Sequence, residues 1–104
     1  MALGRATALI LLALARGHAY GFEIMDVTGL PSGSVYPALR RMERERLVTS
    51  QWEETDPEDR SRGRPTRRVY RLTSAGEEQV EEARARVTEI YGSARDLLSP
   101  EGSA

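Results

Sequence analysis

The chain has no cysteine, no lysine and a single histidine in 104 residues. Without cysteine there is no disulfide framework, no thiolate nucleophile and no sulfur ligand for a metal. His18 alone cannot make a typical zinc site, and its place beside Gly17 suits a turn between two helices. The scattered Asp and Glu do not fall at calcium-loop spacing. No metal and no cofactor is expected. Nor is there a Ser/His/Asp arrangement, a paired-carboxylate pocket or a phosphate-cradling glycine loop, so the chain does not read as an enzyme. Long hydrophobic runs are missing too. The apolar stretch from Ala6 to Ala15 imitates a signal peptide together with Arg5 and Ala19, but it is too short to span a bilayer. It reads as a first helix of a cytoplasmic protein, apolar nearly all round and buried from both sides, in part by a partner chain.

Charge is scarce only in sum. The net charge is −1, yet residues 40–71 carry ten arginines against seven acids, and residues 72–104 carry three against seven. A basic middle and an acidic tail suit a molecule that turns one surface toward nucleic acid. All fifteen basic residues are arginine. Arginine forks match phosphate and guanine, although GC-rich coding accounts for the same bias.

The most informative segment is 33–47. Val35, Ala38, Leu39 and Met42 recur at helical spacing and form one buried stripe, while Ser34, Tyr36, Arg40, Arg41 and Arg44 occupy the other face. Two strand-like segments follow, Val48–Glu53 and Arg68–Leu72, rich in Val, Thr, Trp and Tyr. Gly63 and Pro65 interrupt the basic stretch between them. A helix with an arginine face followed by a hairpin with a basic tip is a winged helix-turn-helix: one element for the major groove, one for the flanking backbone or minor groove.

The motifs narrow this further. Gly-His-Ala-Tyr-Gly-Phe-Glu-Ile at 17–24, Ser-Gly-Ser-Val-Tyr-Pro-Ala-Leu-Arg-Arg-Met-Glu at 32–43, Leu47-Val48, Arg62-Gly-Arg-Pro65 and Tyr70-Arg-Leu-Thr-Ser-Ala-Gly76 occur in that order. Over roughly residues 5–85 the chain resembles the PadR family of bacterial winged-helix transcriptional regulators, in its shorter form with one modest helix after the wing. The resemblance implies a homodimeric repressor on a pseudo-palindromic operator, released in some members by a small aromatic or apolar effector. Double-stranded DNA and a second copy of the chain are the implied partners, with no membrane. The Tyr20 and Tyr36 hydroxyls are phosphate contacts by the same resemblance. Ser34, Tyr36, Arg40 and Arg41 are the candidates for the major groove, Ser32 joins them at the start of the motif, and Arg62 and Arg64 are the candidates at the wing tip. Tyr70, Phe22 and Trp52 are assigned to the core, with the lining of a dimer cleft as the alternative for Phe22, Trp52 and the first helix. The rival reading is a winged-helix protein-interaction module that does not bind DNA specifically.

The expected fold is mainly α with a small β-hairpin. Residues 1–73 form the winged helix-turn-helix, 74–98 a C-terminal dimerisation helix, and 99–104 a disordered tail. The helices are expected at about 3–16, at 21–28 up to Gly29, from Ser34 as N-cap, and from Thr73 or Ser74 to about Leu98. The third start follows from Pro37, whose missing N–H is harmless within the first turn; a start at Ser32 is the alternative and would leave a kink. In the last helix Val80, Ala83, Val87, Ile90, Ala94 and Leu97 step by three and four, an a/d seam. With Leu3, Ile10 and Leu14 of the first helix they make the expected dimer interface.

Overall fold

A computed structural model describes residues 3–53, 57–63 and 67–92, with the backbone alone at 59 and 60. The first helix, α1 (Arg5–Ala15), buries every residue from Thr7 to Leu14. Its end is set by Gly17, whose φ of 94° lets the chain turn back. There Gly17 N–H donates to the Leu14 carbonyl at 3.0 Å and His18 N–H to the Ala13 carbonyl at 3.1 Å, a Schellman closure. The second helix, α2 (Gly21–Thr28), has the expected bounds. Glu23 reaches back to accept from the Ala19 and Tyr20 N–H groups at 3.1 and 3.2 Å, and Gly29 at φ 74° ends it.

The third helix, α3 (Ser32–Arg44), starts three residues before the expected first helical position, Val35. Pro31, not Ser34, is its N-cap, and the Pro31 carbonyl accepts from Ser34 and Val35 at 2.9 and 3.0 Å. Pro37 therefore sits beyond the first turn. The carbonyl it leaves without a donor is that of Gly33, four residues earlier and exposed, where water can serve it. Val35, Ala38, Leu39 and Met42 are buried as the spacing requires. Two residues past its end the chain turns away at Arg46, which takes φ 63° without being glycine.

Strands β1 (Val48–Trp52) and β2 (Arg68–Leu72) pair antiparallel, Val48 opposite Leu72 and Trp52 opposite Arg68. The tip is not a plain loop, because a short helix, α4 (Pro57–Ser61), lies in it. The wing is tied to the body by Tyr70 N–H on the Ala19 carbonyl at 2.8 Å and by a bridge from Tyr20 to Val69. The expected last helix is divided at Gln79 into α5 (Ser74–Glu78) and α6 (Val80–Tyr91). Thr73 caps α5, accepting from Gly76 N–H at 3.0 Å.

The core needs no partner chain to close it. The helix α6 packs along α1, and α1 packs on α2, α3 and β2. Ile10, Ala83 and Val87 are fully buried and Leu14 nearly so, all within one chain. Burial of Ile10, Leu14 and Val87 contributes about 1.5–3 kcal/mol each, and the Ala83 methyl less. Leu3 and Val80 are half-buried, and Ile90 is exposed. Ala94, Leu97 and the tail at 99–104 lie outside the described residues.

Candidate nucleic-acid interface

An α-helix turns 100° per residue, and the buried stripe of α3 fixes which side faces out. Gly33, Pro37, Arg40 and Arg44 lie opposite that stripe and all are exposed. Tyr36 lies on one flank, Ser34 and Arg41 on the other. The two neighbouring arginines thus part company. Arg40 points outward, whereas Arg41 donates through its guanidinium to the Thr7 hydroxyl at 2.9 Å and ties α3 to α1. Ser34 is half-buried and Ser32 exposed. Arg44, whose sequence neighbours offer it acids to pair with, stands near the centre of the outward face. No side chain caps the start of α3, so its first N–H groups meet solvent, where a helix end favours anions.

On its flank Tyr36 lies over the start of α2. A Cβ on Gly21 would come within 2.8 Å of the Tyr36 ring, so the glycine of the first motif and the tyrosine of the second are in direct contact. Beside them Tyr20 and Phe22 stack with centroids 5.5 Å apart. The Arg67 guanidinium lies over both rings, 5.8 and 5.3 Å from their centroids. The Tyr20 hydroxyl donates to the Glu53 carboxylate. That bond, and secondarily burial, raises the Tyr20 pKa above its ordinary value near 10.0. Tyr70 is core, as expected, and burial raises its phenol too.

Two core assignments are overturned. Phe22 is 51% exposed and Trp52 60%. Trp52 shares a strand face with Val48, but it stands at the far end of β1 from the core. Its cover is Arg68, its partner across the strands, 5.3 Å above the ring. Arg68 also donates to the Ser50 hydroxyl at 2.8 Å and stands 3.9 Å from Glu43. The wing tip presents Arg62 to solvent, its N–H on the Glu58 carbonyl at 3.1 Å. Arg64 lies outside the described residues. The structure thus gathers Tyr20, Tyr36, Arg40 and the wing along one side, and directs Arg41 elsewhere. Among the described residues no three His, Asp or Glu side chains are grouped to hold a metal, and no helix is long and apolar enough to cross a membrane.

Comparisons with known proteins agree with this geometry. The family model described as "Transcriptional regulator PadR-like family" matches residues 10–82. A PadR family transcription regulator from Clostridium difficile is 29% identical, with a TM-score of 0.66 over 86% of this chain and 93% of that one. A PadR-like transcription factor from Bacteroides fragilis is 26% identical, with a TM-score of 0.63 over 83% and 82%. A PadR-like transcriptional regulator from Bacillus cereus is 26% identical, with a TM-score of 0.60 over 89% and 90%. No curated protein matches the chain.

Proposed function

The chain belongs to the PadR-like family of transcriptional regulators, and from that premise we propose that it is a cytoplasmic, homodimeric repressor of a two-fold-symmetric DNA operator. The observation that carries this reading is the outward face of α3. Arg40 and Arg44 are exposed along it, the start of the helix carries no side-chain cap, and the basic wing follows in the chain. In this reading α3 enters the major groove, and Arg40 and Arg44 reach base edges or the phosphates beside them. The N–H groups at Ser32 and Gly33 take a phosphate. Arg62 and Arg64 hold the flanking backbone, and the Tyr36 hydroxyl lies at the same border. Tyr20 reaches a phosphate only by giving up Glu53. Phosphate contacts set register and affinity, and base contacts set sequence. The repressor is released by a small effector.

The test is a mobility shift and salt titration on the promoter of the chain's own gene. Wild type should prefer that duplex to random DNA. Arg62→Ala should weaken both and reduce the slope of log K against log salt by about one unit for each phosphate that is no longer neutralised. Equal, weak binding to every duplex would remove the repressor reading and favour the protein-interaction module.

A further inference from the structure

Glu43 is the only acid in α3. It lies seven residues after Tyr36, about two turns, and so on the same flank of the helix, half-buried beside the outward face. Its ion-pair partner is Arg68 of the wing, at 3.9 Å. We propose that Arg68 is a positioning residue: by occupying Glu43 it keeps the Arg40 guanidinium free for DNA, and so sets sequence preference without touching a base. The role of Arg40 rests on the DNA-binding reading above.

The helix itself supplies the competition. On an α-helix a side chain meets those three and four residues away. For Arg40 these are Tyr36, Pro37, Glu43 and Arg44, so Glu43 is the one carboxylate of α3 within its reach. Among the described residues Arg40 stands in no ion pair. The Tyr70 phenol marks how close the rivals are. Burial is the main cause that raises its pKa, and Arg68, Glu43 and Arg40 all act on it as well. Two guanidinium groups and one carboxylate thus share a neighbourhood, and one guanidinium goes without.

Arg68 holds the carboxylate because it is already fixed. Its Nε donates to the Ser50 hydroxyl at 2.8 Å, and its guanidinium lies 5.3 Å above the centre of the Trp52 ring. A fork held at one edge and one face has little freedom left to lose on meeting Glu43. Arg40, exposed on the outward face, would have to give up its rotamers for the same contact. The three contacts of Arg68 also engage the fork that a phosphate would need. Without Arg68, Glu43 turns to Arg40, and the pair draws Arg40 back from the groove.

The test compares wild type, Arg68→Met, and Arg68→Met combined with Glu43→Gln, all as the full chain. Methionine keeps an apolar stem over Trp52 and removes the charge. Without DNA, phenylglyoxal labels accessible guanidinium groups, and mass spectrometry follows Arg40 and Arg44 separately. Arg68→Met should slow the labelling of Arg40 by about twofold, the weight of one i,i+3 ion pair. Arg44 should be unaffected, since no acid stands three or four residues from it. With DNA, anisotropy gives the ratio of the Kd for a random duplex to that for the promoter of the chain's own gene. Arg68→Met should lower that ratio by about twofold in low salt and by less in high salt, where ion pairs are screened. The double variant should recover both the labelling rate and the ratio. In an Arg40→Ala chain, Arg68→Met should move the ratio no further. Arg68→Gln, which keeps a donor for Ser50, should behave as Arg68→Met does, and every variant should keep the wild-type circular dichroism spectrum. Unchanged labelling of Arg40 overturns the proposal and leaves the DNA reading intact. A double variant that labels like wild type but keeps the low ratio means that Arg68 meets the duplex itself, which also overturns it. A wild type without preference for its promoter ends the DNA reading, and this role of Arg68 ends with it, whatever the labelling shows.

Discussion

Gly76 stands where the wing returns to the body, and its missing side chain lets α5 press against the end of α3. A Cβ there would collide with the Leu47 carbonyl oxygen and crowd Leu72. Since that obstacle is backbone, no rotamer change relieves it, and Gly76→Ala should destabilise the fold by about 2–4 kcal/mol. Urea denaturation followed by circular dichroism measures this, and an unchanged midpoint would remove the close approach. Next to it Arg46 carries the opposite kind of strain. It holds φ 63° because the closing bonds, Arg46 N–H to the Glu43 carbonyl at 3.0 Å and Leu47 N–H to the Met42 carbonyl at 2.9 Å, demand that turn. Thr73 fastens it by donating to the Arg46 carbonyl at 2.6 Å. Glycine adopts that φ without a Cβ clash, so Arg46→Gly should stabilise the chain by about 0.5–1 kcal/mol, less than the full strain because the unfolded chain gains freedom. The same denaturation experiment decides it, and a loss of stability would mean that the arginine side chain outweighs its backbone.

At the level of elements, α3 shows what the sequence carries and where it stops. The apolar spacing of Val35, Ala38, Leu39 and Met42 is enough to orient the helix, because a stripe of that width has one way to meet a core. The glycine at 29 and the composition of the wing strands are likewise local signals, and those boundaries stand except that β1 ends at Trp52, one residue short of Glu53. Three features are not local. The start of α3 depends on whether an exposed Gly33 carbonyl can do without a donor. Trp52 and Phe22 are apolar by composition, but burial depends on what packs over them, and at the end of β1 the cover of Trp52 is Arg68. Arg40 and Arg41 share a polar face in sequence, yet only the position of α1 reveals that Thr7 takes one of them. The two should therefore separate in experiment. Arg40→Ala should relax base preference at one position of each half-site, by about 1–3 kcal/mol if it holds a guanine. Arg41→Ala should leave base preference unchanged and cost about 1 kcal/mol of fold stability for the missing hydrogen bond. A randomised-site selection at fixed salt, with denaturation of each variant, separates them, and a shift of base preference by Arg41→Ala would reverse the assignment.

At the scale of the whole molecule, the proposed homodimer requires a surface that the single chain leaves exposed. The seam expected to join them is partly used within the chain: Ala83 and Val87 are fully buried along α1, so a charge at Val87 would damage the fold and say nothing of a partner. Ile90 and Tyr91 are 36% and 39% exposed at the end of α6. Tyr91 is held against Arg5, which donates to its hydroxyl and lies over its ring at 5.7 Å, so the start of α1 and the end of α6 present one edge. In the proposed dimer that edge is the described part of the surface covered by the second copy, with Leu3 beside it. Ile90→Asp tests it without touching the core. Wild type should sediment as a dimer at micromolar concentration, and the variant should dissociate more than about tenfold more readily, because a buried unpaired charge is costly. The consequence for DNA is geometric. A dimer spans two half-sites about one helical turn apart, so Ile90→Asp should lose affinity for the full operator and keep that for a single half-site. Sedimentation equilibrium and anisotropy on both duplexes read these separately. A monomeric wild type, or a variant that holds the full operator as tightly as wild type, would move the interface off α6 or end the two-fold reading.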